Sequence, residues 1–88
     1  MHDLATMILR DARAAGRACA EAAKARQFEE MNRIIKAQRH ALPTRHPLSE
    51  RAAIEFVRGY ADEYGGRAWY GYPAVLEALG HSPSVRSL

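Results

Sequence analysis

The chain has 88 residues, 13 Lys and Arg against 10 Asp and Glu, a formal net charge of +3 and a sequence pI of about 9.4. That length allows one domain at most, and a chain of this size buries roughly 60–65% of its unfolded surface, so its margin of stability is small. The positive balance permits nucleic-acid binding without requiring it, and the single cysteine, Cys19, excludes an intramolecular disulfide and fits a reducing compartment.

Residues 3–41 contain no proline and one glycine, Gly16, and are dominated by strong helix formers. Asp3 falls in the first turn, where negative charge suits the helix dipole. Pro43 and Pro47 end the pattern. The expectation is one long helix, or two with a break near Lys24 to Gln27. The apolar stripe gives the reason for a break. At about 100° per residue, Leu4, Ile8, Ala15, Cys19 and Ala22 share one face. Phe28, Met31, Ile35, Gln38 and Leu42 share a roughly opposite one. The basic stripe switches with it, from Arg10, Arg13, Arg17 and Lys24 to Arg26, Arg33, Lys36 and His40. A continuous helix would meet different partners at its two ends, whereas a kinked pair would fold both faces inward. The first half is alanine-faced and buries little area per residue, so it calls for a partner helix, for instance from a second copy. The second half, with Phe28, Met31, Ile34 and Ile35, is expected to be the better core contributor. Cys19, within the alanine-rich stretch, reads as a small buried apolar residue rather than a reactive thiol.

Residues 43–48 form a proline-containing linker, since the residue before each proline is pushed towards extended geometry. Ser49 is placed to cap a new helix over 50–64, with Leu48 packing against it. Ala53, Phe56, Val57, Tyr60, Ala61 and Tyr64 give that helix an apolar face. Gly65-Gly66 stops it. Residues 67–72 are aromatic and irregular. Pro73 suits the opening of a short helix, Val75, Leu76 and Leu79 suit its buried side, and Gly80 suits its cap. Ser82-Pro83-Ser84 starts a third helix. Two helices joined at a glycine turn are the usual device by which a small basic domain presents a helix to the major groove.

The series Leu48-Ser49-Glu50-Arg51, Ile54, Phe56-Val57, Tyr60, Gly65, Ala78-Leu79-Gly80 and Ser82-Pro83-Ser84-Val85 resembles the start of the winged-helix DNA-binding domain of LexA-type repressors. The resemblance covers residues 48–88. It implies that Ser82, Ser84, Arg86 and Ser87 meet DNA. The sequence departs from that family in its lengthened Gly66–Tyr72 turn, in the position of Pro73, in the short stretch after Ser84, and in lacking the wing strands and catalytic dimerisation domain.

Other candidate contacts come from the residues themselves. Arg10, Arg13 and Arg17, in a stripe with Lys24, read either as phosphate contacts or as a solvated face balanced by Asp11, Glu21 and Glu29. Trp69, Tyr70 and Tyr72 beside Arg67 cap the core, anchor a protein partner or stack on bases. His2, His40, His46 and His81 are scattered and Cys19 is remote from them, so no zinc site is expected. Glu29 and Glu30 diverge on a helix and make no acid/base pair. No nucleophile elbow or phosphate-cradling glycine loop is present, so no enzyme and no cofactor are expected.

No apolar run approaches the ~20 residues that span a bilayer, and arginine recurs after Leu9 where a signal peptide would be apolar. The expectation is a soluble, cytoplasmic, all-α protein. An N-terminal helical segment (1–42), long or kinked, precedes the linker and a helix-turn-helix-like bundle (49–88) in one compact domain. The functional expectation is a DNA-binding regulatory protein, dimerised through its N-terminal helix. The alternative is a non-enzymatic protein-interaction or inhibitor module of the bacterial phage or plasmid kind. It would dock through Phe28, Met31 and Ile35 or through Trp69, Tyr70 and Tyr72.

Overall fold

The computed structural model describes residues 3–65 and 72–81. They form four helices and no strand: α1 (Leu4–Lys24), α2 (Phe28–Ala41), α3 (Ser49–Tyr64) and α4 (Tyr72–Ala78). The class is all-α, and the N-terminal segment is the kinked pair rather than the continuous helix.

Asp3 caps α1, its carboxylate accepting from the Ala5 N–H at 3.3 Å. That satisfies one of the donors a helix start leaves unpaired. At the other end Arg26 adopts φ 58°. The Arg26 N–H then donates back to the Ala23 carbonyl at 3.1 Å, and the Gln27 N–H to the Ala22 carbonyl at 2.8 Å. This paired reverse bonding closes a helix on a left-handed residue, usually glycine. An arginine holds that conformation at a cost of about 1–2 kcal/mol, and the chain turns into α2.

The helix α1 packs along α3, and the contact is close enough for backbone to meet backbone. A Cβ added to Gly16 would stand 2.7 Å from the Phe56 carbonyl carbon and closer still to its oxygen. One added to Gly59 would stand 2.9 Å from the Arg13 carbonyl carbon and again closer to the oxygen. Each helix therefore places a glycine under the other's carbonyl. Around this crossing Ala12, Gly16, Cys19, Ala20 and Ala22 of α1 are buried. The expected stripe is thus rotated: Ala12, Gly16 and Ala20 join Cys19 and Ala22, while Leu4 remains 69% exposed.

The relative weights of α1 and α2 in the core also differ from expectation. Ile35 alone is buried on α2, Met31 and Ile34 pack partly against the core, and Phe28 is 60% exposed. The alanine face of α1 contributes more because α3 approaches it closely and covers it with its own large side chains. The partner helix that this face needs is α3 of the same chain. Phe56 is fully enclosed, and Ile54, Val57 and Tyr60 are buried beside it. The α3 face extends round to Ala52 and Gly59 as well as the expected Ala53, Phe56, Val57 and Tyr60. Tyr64 is half-exposed and stacks on Tyr60, with ring centroids 5.4 Å apart.

Ser49 does not cap α3 as expected. Leu48 takes the cap position, and Ser49 is the first helical residue, buried to 5% exposure. Its hydroxyl is hydrogen-bonded to His81 Nε2 at 2.8 Å. The polar group that would have served the helix start instead ties the beginning of α3 to the residue just past α4. Gly65 closes α3 at φ 93°. Gly80, at φ 90°, closes α4. Its N–H donates to Glu77 and that of His81 to Leu76, each at 2.9 Å, the same paired bonding that ends α1. Val75, Leu76 and Leu79 are buried against the core as expected.

Candidate functional site

The basic stripe of α1 runs along the α1–α3 seam. Arg13 donates through Nη2 to Asp62 Oδ2 at 2.6 Å and through Nε at 3.1 Å, and reaches Glu55 at 3.4 Å. Arg17 lies 3.6 Å from the same Asp62 oxygen, and Lys24 donates to the Glu63 carboxylate and carbonyl, both at 3.3 Å. The hydrogen bonds from Arg13, and then its charge, hold the Asp62 carboxyl below the usual range, and Asp62 pushes the Arg13 guanidinium up. The counter-charges of the stripe are therefore Glu55, Asp62 and Glu63 on α3, not Asp11, Glu21 and Glu29. Sequence periodicity placed these basic residues on one line but carried no information on the acids that α3 brings against them. Arg10 is exposed and makes no ion pair among the described residues.

A second basic region lies beyond the seam. Residues 31–49 contain Arg33, Lys36, Arg39 and Arg45, with His40 and His46, and no Asp or Glu. Arg33 is paired with Glu30 on its own helix. Lys36, Arg39 and Arg45 are exposed, and none is in an ion pair among the described residues. His46 is committed to the linker, its Nδ1 accepting the Leu48 N–H at 3.0 Å. The end of α4 rests on this region. A Cβ placed on Gly80 would meet Thr44 Cγ2 at 2.5 Å, with the Arg39 Nε and Nη2 at 3.8 Å. The sequence pattern sets Lys36 and His40, with Arg26 and Arg33, on a basic stripe that does not include Arg39 or Arg45. The available signal was the absence of acidic residues over this stretch.

Of the remaining candidates, Arg67, Trp69, Tyr70, Ser82, Ser84, Arg86 and Ser87 lie outside the described residues. Tyr72 opens α4, and its side chain lies outside what is described. Ile35 is a core residue with 6% exposure and offers no docking surface. Met31 is partly buried, and Phe28 is open to solvent together with Leu4. Near the start of α1, Ile8, Asp11, Gln38, Ala41, Leu42 and His46 line a groove of about 240 Å³. Cys19 is enclosed, and burial pushes its thiol up to about 11. A thiol held in that range is largely un-ionised near neutral pH and makes a poor nucleophile. Among the described residues no three His, Cys, Asp or Glu side chains gather as metal ligands, and no helix is long and apolar enough to cross a membrane. Compared with known proteins, the chain matches no family model, no curated protein and no solved structure.

Proposed function

We propose that this chain is a small, non-enzymatic DNA-binding regulatory module whose reading segment follows α4. The observation that carries the reading is the α3–α4 pair: two helices, each closed by a positive-φ glycine, the second packed through Val75, Leu76 and Leu79, with Ser82-Pro83-Ser84 next in sequence. The pair shares a helix order and two glycine stops with the LexA-type pattern that residues 48–88 resemble, which supports the reading. It departs in the connection, since α3 ends at Tyr64 and α4 begins at Tyr72, a longer span than the usual turn of about 3–4 residues. Fluorescence anisotropy with random duplex DNA, at low and at physiological salt, tests the reading. Binding that weakens steeply with salt, and falls further in Arg67→Gln or Arg86→Gln, is the expected result. Absence of binding at low salt, or full affinity in both variants, removes it.

A second reading is favoured by Phe28, a large apolar ring 60% exposed at the start of α2. In that reading the chain docks on a protein, or on a second copy of itself, through this end of α2. Sedimentation of the purified chain and of Phe28→Ala separates a self-associating form from a monomer.

A further inference from the structure

We infer that Lys36, Arg39 and Arg45, on the second half of α2 and the linker after it, form the surface that grips the phosphate backbone of duplex DNA. This rests on the DNA-binding reading and adds to it a contact surface outside the α3–α4 pair.

Three observations lead there. The first is where positive charge is left uncompensated. Arg13, Arg17 and Lys24 are held by α3 carboxylates, Arg58 by Glu55 and Arg33 by Glu30. Arg10, Arg26 and Arg51 are also unpaired among the described residues, but each stands within three residues of an acid in sequence, whereas Lys36, Arg39 and Arg45 sit in a run of nineteen residues, 31–49, without a single acid. A polyanion gains most where cations have no internal partner to give up. The second is presentation. Lys36 and Arg39 are spaced i, i+3 on α2 and are neighbours on its outer side, while Ile35, just before them, turns into the core. All three cations are exposed. The third is continuity with the proposed reading segment. Arg39 and Thr44 lie against Gly80, and the Ser49 hydroxyl is bonded to His81, the residue that precedes Ser82 in sequence. Contacts to phosphate position a protein on the duplex while base contacts specify the site. A cationic surface beside Gly80 is placed for the first of these tasks.

The test is the salt dependence of binding to a random duplex DNA, read by anisotropy for the full chain, a Lys36→Gln/Arg39→Gln/Arg45→Gln variant and an Arg51→Gln/Arg58→Gln variant. Each neutralised phosphate contributes about 0.9 to the slope of log K against log salt. The triple variant is expected to lose about 2–3 from that slope and at least tenfold in affinity at physiological salt. Each single substitution is expected to lose about 0.9. The three side chains are exposed, so an unchanged thermal transition accompanies the loss. The inference is overturned if the triple variant keeps the wild-type slope while Arg86→Gln abolishes binding, a result that leaves the DNA-binding reading standing. It is also overturned if the Arg51/Arg58 variant loses as much as the triple one. Failure of the wild-type chain to bind duplex at low salt removes the underlying reading as well. Salt-matched binding of polyglutamate as tight as that of duplex, lost equally in the triple variant, replaces DNA by an acidic protein as the occupant.

Discussion

Gly16→Ala sets two well-known effects against each other. In an exposed helix interior, alanine is better than glycine by roughly 0.5–1 kcal/mol, because glycine loses more backbone freedom on folding. At Gly16 the added Cβ would lie 2.7 Å from the Phe56 carbonyl carbon, 3.0 Å from its Cα and closer still to its oxygen. These are all backbone atoms of a central helix and have no rotamer by which to move aside. An ordinary contact is about 3.5–4.0 Å, so α1 must withdraw by the order of 1 Å along the crossing. That would loosen Ala12, Cys19 and Ala20 against Phe56. Overpacking of this kind typically costs about 1–3 kcal/mol and occasionally more. With the upper part of that range and the propensity gain subtracted, the net loss is about 2 kcal/mol. For a domain of this length, that lowers Tm by about 8–16 °C. Thermal unfolding followed by circular dichroism measures it, with Ala18→Gly on the exposed side of the same helix as reference. Ala18→Gly is expected to lose roughly 0.5–1 kcal/mol through propensity alone. Gly59→Ala is expected to resemble Gly16→Ala, and the double variant to lose less than the sum, since one withdrawal relieves both clashes. A Tm for Gly16→Ala equal to or above that of the wild type would refute the backbone-to-backbone crossing.

Three further outcomes follow from the same geometry. Arg26→Gly relieves a non-glycine residue at φ 58° and is expected to stabilise the chain by about 1 kcal/mol, read as a higher urea midpoint with unchanged slope. Asp62 has a folded pKa below its unfolded value, so its pairing with Arg13 contributes fully above the unfolded pKa of about 3.9. The contribution is lost as pH falls through the lower folded value. Asp62→Asn should therefore narrow the gap between Tm at pH 7 and at pH 3, and an acid limb unchanged from wild type refutes the pairing. Ser49→Ala removes the hydroxyl held 2.8 Å from His81 Nε2 and is expected to cost about 1 kcal/mol. Amide exchange at the end of α4 should rise first, because that bond ties α4 to the start of α3.

The sequence by itself determined the local events. Helix-forming composition, the glycines at 65 and 80 and the prolines at 43 and 47 act within a few residues of where they stand. The four helices consequently fall where the pattern places them, and the inverted apolar stripe was the reason to consider a break near Lys24 to Gln27, although it did not choose between a continuous and a kinked helix. Val75, Leu76, Leu79, Phe56 and Tyr60 were legible as core because a 3.6-residue period needs no knowledge of the partner. Tertiary structure alone decided what met what. Gly16 stands in the sequence only as the one glycine of residues 3–41 and proved to be a point where α3 backbone presses against α1, since a missing side chain leaves no mark on periodicity. The Arg13–Arg17–Lys24 stripe reads in sequence either as phosphate contacts or as a solvated face balanced by Asp11, Glu21 and Glu29. It is tied to Glu55, Asp62 and Glu63, which lie 39 to 49 residues away in the chain. Ser49 carried the signature of a helix cap and was drawn to His81, because a hydroxyl buried at a helix junction takes whichever partner the packing brings within reach. Charge and polar pairing depend on which surfaces face each other. In this chain the acids of α3 meet the cations of α1, while Lys36, Arg39 and Arg45 on α2 and the linker, like Arg10, Arg26 and Arg51, have no ion-pair partner among the described residues.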